Sequence, residues 1–313
     1  MLHLRAVCPV DATDAVLAVL KEHPGVTHVL SFPGAAIEPA GDVVEADLAR
    51  EATDEVLSAL CGLGVDRTGG VTLEQIDTSL SDAADRAEEA APGEGADAVV
   101  WEELLSRTGE ESRLNVTFLA FLTIACLLAA VGVVTNSPVT LVGAMVVGPE
   151  FGPLAAIAVG IVLRRRDLVR RAALALAVGF PAAMLVTFAC AVVGSYTGLF
   201  DRSMVLGAHE ADFVFRVGPF SLIVALLAGA AGMLSMTSAK SAALVGVFIS
   251  VTTVPAAGFA AVAAVLGEWS ICGLSVLQLG VNLVGIVVAA GVVLALRHRR
   301  GHTRDLRRPL SHG

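Results

Sequence analysis

The sequence predicts a polytopic α-helical membrane protein with a small α+β domain at its N-terminus. Three observations lead there. Apolar residues make up 55% of the 313-residue chain and charged residues only 16%. Charge is split along the chain: residues 1–113 hold 7 Lys/Arg against 23 Asp/Glu, whereas residues 114–313 hold 14 against 7. From residue 114 onward, six stretches reach or approach the ~20 apolar residues that a helix needs to cross a bilayer. The basic residues flank apolar spans instead of lining a soluble face, which argues against a nucleic-acid partner.

The acidic first third reads as a folded unit over 1–78. "LHLRAVC" (2–8) alternates like a strand, and "DATDAVLAVLKE" (11–22) has helical apolar spacing behind an acidic start. A strand follows at 26–32, then a Pro/Gly loop "PGAAIEPAGD", a strand at 43–48, a helix at 51–63 ended by Gly64, and a strand at 71–77. The order β-α-β-β-α-β predicts a ferredoxin-like domain, whose uncovered sheet face suits a small effector or a second subunit. No apolar leader precedes it, so no signal peptide is expected. Residues 79–113 read as an Ala- and acid-rich linker followed by a juxtamembrane helix at 99–115, with Val100, Leu104 and Leu105 on one side.

The membrane domain is placed at 114–296, with spans at 114–134, 138–163, 170–194, 218–236, 241–266 and 274–296. The loop "RRRDLVRR" (164–171) and the tail from 297 to 313 are basic, and the Lys/Arg bias puts both in the cytoplasm. An even number of spans brings the N-terminal domain to the same side, so the expected location is a bacterial inner membrane with both termini cytoplasmic. Five scattered cysteines, three in or at the edge of apolar spans, read as buried reduced thiols.

Span 2 is interrupted. "GAMVVGPEFGP" (143–153) places Gly148, Pro149, Glu150, Gly152 and Pro153 where a continuous helix wants none of them. Proline removes a backbone donor, glycine lets the chain leave helical geometry, and the freed groups must then face protein or a wet cavity. "LVGAMVVGPEFGPLAAIAVG" (141–160) also aligns without gaps on "LVGVFISVTTVPAAGFAAVA" (244–263), which puts a second interruption at Pro255 in span 5. These are the middle spans of two three-span halves. An odd count per half inverts one half relative to the other, and paired breaks in inverted halves point to a transporter-type site.

Glu150 is the one acid inside an apolar span, and intramembrane carboxylates mark pathways or proton sites. Its expected stabilisers are the amides of a half-helix starting near Pro153, or a bound proton. Thr252 and Thr253 fall opposite it in the repeat. Gln278 and Asn282, four apart in span 6, share a face, where interhelical hydrogen bonding is as good a reading as contact with a permeant. Asn136 joins the candidate pathway set at the turn before span 2. His209, Glu210 and Asp212 in the outer loop lack a further ligand at metal spacing, so no metal is assigned. No Ser-His-Asp order, His-Glu-x-x-His or phosphate loop is present, and an enzyme is not expected.

The residues "NSPVTLVGAMVVGPEFGPLAAIAVGIVLRRRDLVRRAALALAVGF" (136–180), preceded by "VVWEELLSRTGEES" (99–112), resemble the prokaryotic "uncharacterised hydrophobic domain" proteins, domain-of-unknown-function family 389. The resemblance implies a multi-span inner-membrane protein and supplies no activity or cofactor. It also implies that the broken backbone is the shared device, since many members carry an apolar residue at the position of Glu150. Two functional expectations follow. The first is a transporter or channel for an ion or small solute, regulated by its cytoplasmic domain. The second is a membrane-anchored sensor or scaffold whose spans anchor it and assemble a homo-oligomer.

Overall fold

A computed structural model describes residues 1–76, 78–91, 99–202, 204, 219–238 and 253–305. The chain divides into two compact units, Met1–Leu104 with Thr237–Lys240 and Leu105–Met236 with Ser241–Gly313.

In the first unit, strands β1 (Leu2–Cys8), β2 (Val26–Ile37), β3 (Ala40–Leu48) and β4 (Gly70–Gln75) form one sheet in the order β2-β3-β1-β4. Every neighbouring pair is antiparallel, with Leu4 opposite Ala46 on one side and Leu73 on the other. Alternation decides which face is buried: Leu2, Leu4, Ala6 and Cys8 of β1 point into a core with Val44, Ala46 and Leu48. Helices α1 (Thr13–Glu22) and α2 (Thr53–Gly62) supply Val16, Leu20, Val56, Leu57 and Leu60 to that core. Each such buried aliphatic side chain contributes about 1.5–3 kcal/mol relative to exposure. The opposite face presents His3, Arg5, Glu45, Thr72 and Glu74 around a shallow depression of about 110 Å³.

Two expectations fail here. Residues 33–42 are not a loop: β2 runs on to Ile37, β3 starts at Ala40, and a cis Glu38–Pro39 turn joins them. β2 is an edge strand, so Pro33 interrupts no inner ladder, and the register shift between Phe32 and Ala36 takes up the irregularity. The segment expected as an open linker holds helix α4 (Asp82–Ala90), whose N-terminus is capped by Ser81 accepting from the amides of Ala83 and Ala84. Its alanines are good helix formers, and Ala84 and Ala87 are buried. A one-turn helix α3 (Val65–Thr68) was also not anticipated; it follows Gly64, whose φ of 75° suits glycine. Asp77, in the last expected strand, lies outside the described residues.

Helix α5 (Trp101–Glu111) begins in the first unit, where Val100 and Leu104 are buried. The Trp101 amide donates to Asp54 Oδ1 at 3.1 Å, and Arg50 pairs with Glu103 at 3.1 Å. Burial, and then the Glu102 carboxylate, push the Asp54 carboxyl up to about 7, against the pull of the Trp101 amide.

The second unit is helical: α6 (Val116–Val134), α7 (Pro138–Val147), α8 (Phe151–Val162), α9 (Arg166–Tyr196), α10 (Pro219–Thr237), α11 (Val254–Val265) and α12 (Trp269–Asp305). α6, α9, α10 and α12 are long and apolar enough to cross a membrane, and α7 with α8, bent by 51° at the break, makes a fifth if the pair is one span. α6 starts at Asn115, whose side chain accepts from the Phe118 amide at 2.7 Å, and α7 starts at Ser137 with Pro138 in its first turn. Exposed Val131, Leu185, Val193, Val284 and Val288 form outward apolar faces, as lipid contact requires. The thiol expectation is corrected as well: Cys8 and Cys126 are buried, but Cys190 on α9 and Cys61 on α2 are exposed. Of the expected fifth span only α11 falls among the described residues, because 239–252 lie outside them. α9 and α12 overrun their expected ends and absorb the basic flanks, since Arg is a good helix former.

Element bounds in this unit coincide at an offset of 103 residues. α6 maps onto α10 end to end, α8 onto α11 end to end, and the start of α9 onto the start of α12. Individual hydrogen bonds follow the same rule. The Leu163 amide donates to the Val159 carbonyl as Leu266 does to Val262, and Arg165 to Gly160 as Glu268 does to Ala263. Both turns close through a residue at positive φ, Arg164 at 56° and Gly267 at 74°.

Candidate functional site

The break between α7 and α8 is the centre of the site. Gly148 caps α7 with extended backbone (φ −63°, ψ 125°), and Glu150 stands just before α8. Pro153 is the third residue of α8, in the turn whose amides have no intrahelical partner, so it starts the helix without breaking it. Pro255 occupies the first turn of α11 in the same way. Gly152, Pro153 and Pro255 are buried, while Gly148 and Pro149 are half-buried.

Glu150 is fully buried, and Thr253 Oγ1 donates to its Oε1 at 2.5 Å. Thr253, also fully buried, precedes α11 as Glu150 precedes α8, and the two residues are 103 apart. The carboxylate therefore contacts its own counterpart at that offset. One sequence expectation is corrected here. The half-helix does start near Pro153, at Phe151, but its amides make no capping bond with the Glu150 side chain. The physical reason is that Glu150 itself has helical backbone (φ −70°, ψ −17°), which turns its side chain away from the amides ahead of it.

Close approach fixes the surroundings. A Cβ on Gly258 would stand 2.7 Å from Ala129 Cβ and 2.9 Å from the Cys126 carbonyl, so α11 lies directly on α6. A Cβ on Gly152 would stand 2.7 Å from Glu111 Cβ, so the end of α5 covers the start of α8. Beside this contact the break borders a cavity of about 370 Å³, lined by Gly148, Pro149 and Phe151 and by Arg107, Glu111 and Arg113. Arg107 and Glu111 form an ion pair at 3.1 Å. The break thus has the polar surroundings that a broken membrane helix requires.

The remaining candidates divide. Gln278 and Asn282 on α12 are buried, and Gln278 Nε2 is 3.5 Å from Asn282 Oδ1. Both bond to Ser221 of α10, which the sequence reading missed: its hydroxyl donates to Asn282 Oδ1 at 3.1 Å and accepts from Gln278 Nε2. Asn136 is not brought to the break. It is exposed in the α6–α7 turn at a φ of 47°, and the ten residues of α7 put about 15 Å of helix between it and Gly148. Thr252 lies outside the described residues, as do His209, Glu210 and Asp212. Carrying the offset of 103 through the whole half would have flagged Ser221, because it aligns with Phe118.

Residues 145–288 match the family model described as "Domain of unknown function (DUF389)". That segment is a DUF389 domain. The DUF389 domain starts inside α7, ends inside α12, and contains both breaks together with Glu150, Thr253, Gln278 and Asn282. The quoted stretch 99–112 and residues 136–144 precede the match, which covers just under half of the chain. Searches of curated proteins and of solved structures gave no match.

Proposed function

We propose that the chain is a six-span inner-membrane transporter or channel made of two inverted three-span halves, passing an ion or small solute along the paired breaks. The observation that carries this reading is the hydrogen bond between Glu150 and Thr253. Two residues at equivalent positions of a repeat touch each other only where both lie at the axis relating the halves. In transporters with inverted halves, that axis runs through the binding site. A buried carboxylate there serves to bind a cation or to carry a proton. Gly148, Pro149, Gly152 and Pro153 on one side and Pro255 on the other shape the passage.

The basic loop at 164–171 and the basic tail favour a cytoplasmic placement of both termini. The sheet order β2-β3-β1-β4 supports a ferredoxin-like reading of the N-terminal domain, which acts as the regulator. Flux in liposomes containing the purified chain tests the proposal. Uptake of at least one small ion, amino acid or organic acid above empty liposomes is the expected result. Failure across such a panel, combined with tight effector binding by the full chain, would replace it with the sensor reading.

A further inference from the structure

The match between the halves supplies an internal comparison. At the offset of 103, Ser221, Gln278 and Asn282 correspond to Phe118, Ala175 and Gly179. In the first half these three positions make an apolar contact: Phe118 and Ala175 are buried, and a Cβ on Gly179 would come within 2.7 Å of the Phe118 ring. The same helix crossing is thus made without any polar side chain. In the second half all three positions are polar together. Helix packing alone does not call for that change, so hydrogen-bonded glue between α10 and α12 is an insufficient account of it.

We infer that Ser221, Gln278 and Asn282 form a binding site for a small monovalent cation, with a coupling role that rests on the transport reading above. Gln278 and Asn282 are 1% and 0% exposed, and Ser221 is half-buried. Ser221 Oγ and Asn282 Oδ1 are 3.1 Å apart, and Gln278 reaches both. The Gln278 carbonyl oxygen is buried without a hydrogen-bond partner among the described residues. The outer end of the Gln278 amide thus meets no partner, so the inner end, which faces Ser221 and Asn282, decides which way round the amide sits. The two ends of an amide are interchangeable by rotation, and turning Gln278 over brings three oxygens together: Oε1, Asn282 Oδ1 and Ser221 Oγ.

The chemistry of that set selects the occupant. An anion finds no positive side chain among the three. Divalent cations are held by carboxylates, and the three side chains supply none. Neutral amide and hydroxyl oxygens suit a hard ion of single charge, and its size is close to that of one water molecule.

The test uses the purified full-length chain in detergent, melted in NaCl, KCl, LiCl or choline chloride at equal ionic strength. One small cation is expected to raise Tm by ~3 °C or more over choline, saturating with concentration. Replacing the site by its counterpart from the first half (S221F, Q278A and N282G together) keeps a packing the fold already uses and should abolish the rise. The near-isosteric Gln278→Met, which removes only the amide, should weaken it at least tenfold in apparent affinity. Equal Tm in all four salts would overturn the site and leave a bound water in its place. A rise that survives both variants would overturn it too. Solute counterflow with identical salt on both sides of the membrane separates this from the transport proposal. Flux with no cation-dependent Tm defeats the site alone, and a cation-dependent Tm with no flux defeats transport alone.

Discussion

Asp54 should make the N-terminal unit lose stability as pH rises through neutrality. Its carboxyl titrates at about 7 in the folded chain against 3.8 ordinarily, because burial and the neighbouring Glu102 disfavour its charge more than the Trp101 amide favours it. The folded form therefore holds a proton that the unfolded form has already released. Stability from this group is fully present below about pH 4, falls progressively as pH rises through 7, and levels off above it. Between pH 6 and 8 the linkage amounts to about 1.4 kcal/mol, a ceiling that partial solvent access and the Glu102 neighbour reduce toward ~1 kcal/mol. For a unit of this size that is a Tm drop of ~4–8 °C. Trp101 is one of two tryptophans, so its fluorescence in a Trp269→Phe background follows the contact directly. Asp54→Asn keeps an oxygen for the Trp101 amide and removes the titration, and its Tm should be flat from pH 6 to 8. A wild-type Tm that stays level or rises across that range would refute the reasoning.

Four further outcomes are expected. Gly258→Ala should destabilise the helical unit by ~1–3 kcal/mol, because the new methyl meets the Cys126 carbonyl and Ala129 Cβ; Gly143→Ala, with open space around it, should melt like wild type. Thr253→Val removes the donor to Glu150 and should cost about 1 kcal/mol in thermal unfolding in detergent, while Thr253→Ser should restore most of it. Glu150→Gln should flatten the pH dependence of flux in liposomes, and an unchanged profile would reduce the carboxylate to a packing role. Ser81→Ala should cost ~1 kcal/mol by uncapping α4, seen as faster proteolysis within 82–90 and not within 53–62.

Most of the architecture was legible where one rule acts alone. β1 was placed to the residue, since alternation over Leu2–Cys8 is unbroken, and α6, α9, α10 and α12 announce themselves by sheer apolar length. Failures came where two rules competed. Pro33, Gly34 and Pro39 read as a loop, yet an edge strand tolerates Pro33 and Gly34 because its outer amides need no partner, and Pro39 falls in the turn after it. α4 looked like a linker because its acids dominate composition, although Ser81 followed by alanines is a sound helix start. At the site, the break and Glu150 were legible, but the expected stabilisers of Glu150 were helix-start amides or a bound proton, and the Thr253 hydroxyl takes that place. That choice turns on the backbone angles of Glu150, which no residue pattern encodes. Ser221 was missed because a serine in an apolar run has no signal of its own. It becomes informative only against Phe118, the residue 103 positions earlier.

The pairing of Glu150 with Thr253 also explains why the carboxylate can be a guest in the break. If the two halves are related by an axis, as proposed above, each position there meets its own counterpart, so a single change is felt on both sides at once. A second carboxylate at 253 would place two like charges face to face in a low-dielectric site, which costs several kcal/mol unless one is protonated. A hydroxyl avoids that and donates the bond the acid needs. Thr253→Glu is therefore the sharpest probe of the axis itself. If the two positions face each other as the hydrogen bond indicates, the variant should melt several degrees lower above pH 7 and recover in acid, as the carboxyl pair comes to share a proton. Glu150→Thr added to Thr253→Glu exchanges the two side chains and should restore the wild-type Tm at neutral pH, because an axis is indifferent to which half carries the acid. If the exchange leaves the double variant as unstable as Thr253→Glu alone, the two sites are not equivalent and the contact is one of proximity only.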